Sequence, residues 1–312
     1  MRTRLLTAAA AAAALALTLS ACGSSSSSSS SGSGDTIASG FIFGGPPEFK
    51  TRADGIPGLE KNYGVTFGKY KVTDTGGPVT VNALKRGQVD AVDLFTTDPS
   101  IEANKFVILE DTKNNFAAQN IVPIINKAKV TEGVKTTLNA IQAKLTTEDL
   151  GTLVGKVQND KEDPAAVAKA YLASADLATA GDAAKGVTLT VGSANFPENV
   201  VLAEVYAQAL EAQGATITRK LNIGSREKYY PALQSGSLDL FPEYTGTILT
   251  YIDKTATATS PDDVYTALTK ALPDNLVALD MAQAQDSDAV VVTAATAKKY
   301  HLKSIADLAN KP

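Results

Sequence analysis

The sequence predicts an α/β fold with two similar lobes that face each other across a cleft. Two observations lead to this prediction. Short apolar segments typical of buried strands alternate with segments of helical periodicity from residue 41 onward. In addition, the pattern Ala83-Leu84-x-x-Gly87-x-Val89-Asp90 returns as Ala232-Leu233-x-x-Gly236-x-Leu238-Asp239. A polar and aromatic segment follows each copy, and in open α/β sheets ligands bind outside the carboxyl ends of the strands.

The first residues have the features of an export signal rather than of a folded domain. Arg2 and Arg4 precede an apolar Ala/Leu run that ends in Leu19-Ser20-Ala21-Cys22, which predicts a signal peptide over residues 1–21. Residues 22–39 begin with the only cysteine of the chain and continue as a Ser/Gly tether. No disulfide is therefore expected after export, and the mature protein is expected outside the cytoplasm.

Composition excludes several classes of function. The chain has 312 residues, 44% of them hydrophobic, and a net charge of −4, so there is no basic surface of the kind that binds nucleic acid. The single histidine, His301, lies in a Lys-rich helix end, and the mature chain offers neither a nucleophile–base pair nor a zinc site. The sequence does not predict an enzyme, a metal or a cofactor.

Strands and helices alternate along the chain in the predicted order. In the first half, strands are expected at 41–43, 89–94, 106–109 and 121–125, and helices at 79–86, 132–143 and 164–174. Residues 175–186 resemble a linker, and strands follow at 187–191, 216–221, 238–241, 276–279 and 289–292. Helices are expected after Pro197, before Gly236, and at 262–271, 293–300 and 304–310. Residues 242–246 are predicted to leave the strand at its carboxyl end.

Several segments resemble the glycine betaine/carnitine/choline-binding lipoproteins of osmoprotectant ABC transporters. These are residues 45–55, 95–98, 107–111, 191–198, 222–226 and 239–247, of which the run Pro-Glu-Tyr-Thr-Gly-Thr at 242–247 is the most specific. The resemblance implies a periplasmic-binding-protein-like fold of type II, which closes on its ligand about a hinge. It also implies that Leu-Ser-Ala-Cys is a lipobox, with Cys22 as the lipidated residue. An ordinary signal peptide with an incidental cysteine is the alternative.

The segments stand in a different order from that of the family, which indicates a circular permutation. In the family, the part that matches residues 187–311 precedes the part that matches residues 41–173. The expected lobe 2 comprises 40–115 and 286–312, and lobe 1 comprises 116–176 and 187–285, with a linker at 177–186. The chain would cross between the lobes near Asn115 and near Asp286. A fragment of a longer tandem binding protein is the alternative.

Candidate ligand contacts follow from the chemistry of a quaternary ammonium, which has no hydrogen to donate and is held over aromatic faces. Tyr244, Phe196 and Phe95 are the candidate rings, since the chain has no Trp. Arg52 suits a ligand carboxylate, or is a solvated loop residue. The remaining candidates are polar or acidic groups near strand ends or in the loops: Glu48, Thr96, Ser193, Asn195, Glu227 and Thr245.

The resemblance adds three site positions, Gln119, Asp286 and Asp288. Family members commonly have tyrosines where this chain has Gln119 and Asp288, so the aromatic cage is expected to be thinner here and the solute more polar or larger. The sequence predicts a monomeric, lipid-anchored binding protein that delivers an osmoprotectant-like small molecule to ABC permease subunits. A ligand-sensing or scaffolding module without a transport role is the alternative.

Overall fold

Two five-stranded mixed sheets frame the protein in the computed structural model, which describes residues 35–47, 49–224 and 226–312. The predicted signal peptide, Cys22, most of the tether and Glu48 lie outside these residues. In chain order the strands are β1 (Ile42–Gly45), β2 (Lys69–Val72), β3 (Ala91–Phe95), β4 (Phe106–Ile108), β5 (Ile121–Asn126), β6 (Thr188–Gly192), β7 (Thr216–Lys220), β8 (Leu240–Tyr244), β9 (Leu276–Ala278) and β10 (Asp288–Thr293).

The two sheets have the same topology. The strand order is β2-β1-β3-β10-β4 in lobe 2 and β7-β6-β8-β5-β9 in lobe 1. In each sheet the first three strands are parallel, and the fourth runs antiparallel to both of its neighbours. That fourth strand comes from the other half of the chain, so the backbone passes between the sheets twice. The predicted two-lobed α/β architecture is confirmed.

Eleven α-helices are present in the described part of the chain. They are α1 (Ile56–Tyr63), α2 (Pro78–Lys85), α3 (Pro99–Asn104), α4 (Glu132–Gln142), α5 (Thr147–Gln158), α6 (Pro164–Ser174), α7 (Pro197–Ala212), α8 (Arg226–Gln234), α9 (Thr245–Ile252), α10 (Pro261–Ala271) and α11 (Ala294–Tyr300). None of the described helices is long and apolar enough to cross a membrane. The helix expected at 304–310 is a short 3-10 helix, Ile305–Ala309.

The repeated sequence pattern has one structural role in both lobes. In lobe 2, the Asp90 carboxylate accepts the backbone N–H of Ile42 at 2.8 Å, and the Asp90 N–H donates to the carbonyl of the same residue. In lobe 1, Asp239 makes the same two bonds with Thr190, both at 2.8 Å. Each aspartate thus joins the end of a helix–turn segment to the first parallel strand of its sheet.

A glycine in each first strand allows the repeat to pack closely. A Cβ added to Gly44 would approach Val89 and Val92 to 3.2 Å, and one added to Gly192 would approach Leu238 and Phe241 to 3.0 Å. These distances are shorter than most contacts that Cβ atoms make in known structures. The side chain following each turn therefore packs directly on the backbone of β1 or β6.

Each lobe has its own hydrophobic core. Lobe 1 is built around α7, which is buried along most of its length and packs against α4, α5 and α6. Its many Ala and Val residues allow this close packing of helices on several sides. In lobe 2 the aromatic core includes Phe43, which stacks on Phe49 with 5.4 Å between ring centroids. Because the cores are separate, the space between the lobes is left to polar and partly exposed groups.

Strand β8 is longer than predicted, and this corrects the expectation that residues 242–246 leave the sheet. The strand continues through Pro242, Glu243 and Tyr244, and Pro242 lies opposite Pro123 of β5. Proline usually marks the end of a strand because it cannot donate a hydrogen bond. Here two prolines face each other, so neither side of the pair offers an amide hydrogen that would need a partner.

The two ends of the described chain meet in lobe 2. The backbone N–H of Ile37 donates to the carbonyl of Asn310 at 2.8 Å. Ile37 and Phe41 also belong to the same hydrophobic cluster as Ile305 and Leu308. The start and the end of the folded region are therefore neighbours in space.

Candidate functional site

A cavity of about 320 Å³ lies between the lobes, and the two chain crossings form part of its wall. Strand and helix ends deliver the other lining groups, as expected for the carboxyl ends of strands. The lining residues are Asp54, Phe95, Phe116, Ala117, Gln119, Phe196, Arg226, Tyr244, Thr247, Asp286 and Asp288. Six of the residues predicted from the sequence are thus brought together: Phe95, Gln119, Phe196, Tyr244, Asp286 and Asp288.

Aromatic rings from both lobes face this cavity. Phe95 ends β3 of lobe 2 and is 36% exposed, while Phe196 precedes α7 of lobe 1 and is 39% exposed. The ring of Phe196 lies 5.9 Å from that of Tyr244, measured between centroids. Exposed phenylalanine rings in an interlobe cavity indicate a binding surface, because contact between apolar rings and water is unfavourable.

Hydrogen bonds hold Tyr244 in a fixed orientation. Its hydroxyl donates to Oε1 of Glu198 at 2.8 Å, and the side chain is almost fully buried. Burial, together with the nearby carboxylates, raises the pKa of Tyr244 well above its ordinary value, so the ring stays neutral. Tyr244 therefore lines the cavity while its hydroxyl is bonded inside the protein.

Two carboxyl groups near Tyr244, those of Glu198 and Asp286, have raised pKa values. Burial, reinforced by the charge of Asp286, raises the pKa of Glu198 to about 8. Burial also raises the pKa of Asp286 to about 6, although Thr97 Oγ1 donates to its Oδ1 at 2.9 Å. Thr97 lies in the turn that follows β3 of lobe 2, whereas Glu198 belongs to α7 of lobe 1. The acidic pair therefore lies where the two lobes meet.

Arg226 reaches the cavity from the start of α8 but is already paired. Its Nε and Nη2 donate to the two carboxylate oxygens of Glu243 at 3.1 and 2.8 Å. The Tyr229 hydroxyl donates to the same carboxylate at 2.8 Å. Glu243 has no exposed surface, so its charge depends on these partners. Glu243 therefore anchors the guanidinium of Arg226.

Arg52 bridges two aspartates at the opposite side of the cavity. Its Nε donates to Asp54 at 2.6 Å and its Nη2 to Asp288 at 2.7 Å. The Asp288 carboxyl also interacts electrostatically with the buried Asp93. Burial, together with the charge of Asp288, raises the pKa of Asp93 to about 9. In this arrangement the guanidinium of Arg52 is paired with carboxylates of the protein and is not free to bind a ligand carboxylate.

Other predicted residues lie outside the cavity wall. Thr245 is buried, and its hydroxyl donates to the carbonyl of Ala118, while Ser193 Oγ accepts the N–H of Asn222. The Thr96 hydroxyl donates to the carbonyl of Gln285 and accepts the N–H of Ser287. These three side chains stabilise backbone near the cleft. Asn195 and Glu227 are exposed and do not line the cavity.

Sequence reasoning missed five lining residues: Asp54, Phe116, Ala117, Arg226 and Thr247. Arg226 directly precedes the predicted Glu227, so the loop was identified but not the residue that turns inward. Thr247 donates to Oε1 of Gln119 from both its N–H and its hydroxyl, each at 2.9 Å. Asp54, Arg226 and Thr247 lie within segments that resemble the family, but the sequence does not show which side chains of these segments face the cavity, because that depends on how the lobes pack. Within the described ranges, no group of three or more His, Cys, Asp and Glu side chains could hold a metal ion.

Two of the curated relatives that resemble the chain are named as glycine betaine-binding proteins. The chain is 27% identical over 147 residues to a glycine-betaine-binding protein of Pseudomonas aeruginosa, covering 46% of this chain and 47% of that protein. It is 30% identical over 122 residues to the glycine betaine-binding protein YehZ of Escherichia coli, covering 38% of this chain and 40% of YehZ. The aligned part thus spans less than half the length of each relative.

Solved structures also resemble the chain at low identity. A polar amino acid ABC uptake transporter substrate binding protein from Streptococcus thermophilus aligns over 86% of this chain and 78% of its own, with a TM-score of 0.40 and 12% identity. The family model described as "substrate binding domain of ABC-type glycine betaine transport system" matches residues 36–174 and 187–312. These two segments comprise most of the chain. The protein therefore belongs to the family of substrate-binding domains of ABC-type glycine betaine transport systems.

Proposed function

We propose that this protein captures a small osmoprotectant-like solute, such as glycine betaine, choline, carnitine or a related compound, outside the cytoplasm and delivers it to ABC permease subunits. The family consists of solute-binding proteins and not of enzymes. The observation that carries the proposal is the interlobe cavity, which has an exposed phenylalanine from each lobe and acidic groups around them. Such a cavity suits a compact cation, which rings and carboxylates both attract.

The cavity size agrees with a small solute. A volume of about 320 Å³ lies at the lower end of the range for small-molecule sites. The tethered lobes would close on the solute by a hinge at the two crossings, one between β4 and β5 and one between β9 and β10. The proposed site comprises Phe95, Phe196 and Tyr244 with Gln119, Asp286 and Asp288, and Arg226 as an addition from the structure.

A thermal-shift screen tests this proposal. The panel contains glycine betaine, choline, carnitine, an uncharged polyol and an amino acid without N-methyl groups. A solute that binds only the native state raises the melting temperature with its concentration. We expect at least one N-methylated cation to do so and the polyol to have no effect. A panel in which no N-methylated compound shifts the transition would contradict the proposed function.

We also propose that Cys22 is lipidated and that the mature protein is a membrane-anchored monomer. The support is the sequence Leu-Ser-Ala-Cys behind an apolar run, followed by a Ser/Gly segment. Mass spectrometry of the protein from membranes should find a chain that begins at residue 22 and carries acyl groups. Replacement Cys22→Ser should release the protein from the membrane fraction. An unmodified chain that begins elsewhere would favour the ordinary signal peptide.

The circular permutation is likewise a proposal, with the domain boundaries predicted above. Three observations support it: the two lobes are alike in topology, the ends of the described chain meet at Ile37 and Asn310, and the family match is interrupted at residues 175–186. Neighbouring ends allow a chain to be rearranged without loss of its fold. The interrupted segment contains the predicted linker at 177–186.

A further inference from the structure

The guanidinium groups at the cleft are both occupied by protein carboxylates. Arg226 gives its Nε and Nη2 to Glu243, which is fully buried and also receives the Tyr229 hydroxyl. A ligand carboxylate could take over Arg226 only by leaving Glu243 charged and partly unpaired in the protein interior. Loss of one partner of a buried ion pair is strongly unfavourable. Arg226 is therefore a weak receptor for an incoming anion.

The second guanidinium is bound to more negative charge than it carries. Arg52 bridges Asp54 and Asp288, at 2.6 and 2.7 Å, and its guanidinium also lies 5.1 Å from the centroid of the Phe49 ring. One positive charge thus faces two carboxylates. A ligand carboxylate near Arg52 would meet repulsion from both of them.

The charge of the cavity wall is therefore negative. Among the described residues that line it, Arg226 is the one cation, whereas Asp54, Asp286 and Asp288 all contribute carboxyl groups. Arg226 is cancelled by Glu243, and Arg52 cancels only one of its two aspartates. A trimethylammonium group would gain from these charges and from the rings of Phe95 and Phe196. A carboxylate one carbon away from that ammonium would lie in the same cavity and be repelled.

We infer that the cleft selects cations that carry no carboxylate, such as choline, over zwitterionic betaines of the same size. This inference rests on the proposed function, because it takes the interlobe cavity as the solute site. Glu243, Asp54 and Asp288 act as specificity-determining residues: they occupy the two arginines that would otherwise bind a carboxylate.

Isothermal titration of the whole mature protein with choline and with glycine betaine tests the inference. The two compounds share a trimethylammonium group and differ in a hydroxymethyl or a carboxylate group. We expect choline to bind at least tenfold more tightly. Equal or tighter binding of glycine betaine overturns the inference and leaves the proposed function intact. Failure of both compounds to bind overturns the proposed function and the inference with it.

A single substitution should reverse the preference. In Glu243→Gln, the amide no longer neutralises Arg226, so we expect glycine betaine to gain affinity and the choline-to-betaine ratio to fall at least fivefold. Glu211→Gln is the matched control, because it breaks a bidentate pair with Arg219 on the outer side of lobe 1. An unchanged ratio in folded Glu243→Gln overturns the role of this pair.

A second variant keeps the test valid if Glu243→Gln does not fold. Asp288→Asn removes one of the two charges that Arg52 faces and keeps a side chain of the same size. We expect choline to bind more weakly and glycine betaine more tightly than in the unaltered protein. If both affinities fall by the same factor, Asp288 has only a general role and the inference is overturned.

Discussion

Phe196 shows how a single residue connects the fold to the site. It lies just before α7, where Pro197 begins the helix, and its ring stays 39% exposed beside Tyr244. The sequence identified this position because it lies between a predicted strand and a Pro-Glu pair that begins a helix. Only the structure shows that Phe95, from the other lobe, lines the same cavity as Phe196.

The first residue-scale prediction concerns this ring. Phe196→Ala should weaken choline binding by about 1 kcal/mol, since it removes one face available to the cation. The melting temperature should change little, because much of the ring is exposed in the native state. Calorimetry of the variant beside Val79→Ala, an exposed residue of α2, provides the comparison. If Phe196→Ala binds choline as the unaltered protein does, the ring is not part of the site.

The second residue-scale prediction concerns pH. The pKa values of Glu198 and Asp286 rise from 4.5 and 3.8 to about 8 and about 6 in the folded protein, chiefly through burial. Between pH 4 and 8 the folded state therefore binds more protons than the unfolded state. The free energy of unfolding should then fall as pH rises through this window. Asp93, with a pKa of about 9, contributes in the same direction.

Thermal melts of the ligand-free protein from pH 5 to pH 8 measure this effect. We expect a decreasing melting temperature, and a flatter profile in Glu198→Gln, whose amide cannot ionise. The groups that face Asp286 are Asp98, Asp288 and Glu198, with Thr97 as a donor. Choline should bind more tightly as these carboxyls ionise, and its binding should release protons. A melting temperature that rises across the window would refute this account of the acidic pair.

At the scale of elements, the same helix–turn–strand segment is used once in each lobe. Gly87 and Gly236 both adopt positive φ, at 66° and 74°, which a turn of this kind requires. The aspartate three residues later then bonds the first strand of its sheet. The repeat could be recognised in the sequence because the turn requires a glycine and the bond to the first strand requires an aspartate.

The element-scale prediction follows from that task. Asp239→Ala leaves the Thr190 amide without its carboxylate partner and should lower the free energy of unfolding by about 1–3 kcal/mol. Asp90→Ala should act similarly in lobe 2 through Ile42. Urea unfolding measures both, with the exposed Asp274→Ala as the control. If either variant is as stable as this control, its aspartate does not have the inferred role.

Strand β8 shows where element prediction from sequence fails. Pro242 suggested that the strand ends, yet it continues to Tyr244 because β5 places Pro123 directly opposite. The pairing partner lies more than a hundred residues earlier in the chain. The consequence for the site is large: Glu243 becomes buried and anchors Arg226 instead of facing the cleft.

At the scale of the whole molecule, each sheet contains one strand from the part of the chain that otherwise builds the other sheet. β10 completes the sheet of lobe 2, and β5 completes the sheet of lobe 1. This arrangement produces the two crossings beside the cavity. The close approach of Ile37 and Asn310 supports the proposed circular permutation.

The molecule-scale prediction is that the family order can be restored. A chain with residues 187–312 followed by 35–184 should give the same circular dichroism spectrum and the same choline affinity, since every strand keeps its neighbours. The new break falls in the exposed turn at Gly186. A folded chain of this order that binds no solute would show that the present order matters for function.

The sequence by itself determined the α/β class, the repeated segment and the family, because these depend on local periodicity, turn glycines and short motifs. It also identified Phe95, Phe196 and Tyr244, which follow strands or begin helices. Only the tertiary structure decided which polar groups face the cavity and which are occupied. Arg226, Glu243, Arg52 and Asp288 look alike in the sequence as loop or strand-end charges, and their roles depend on ion pairs between distant segments.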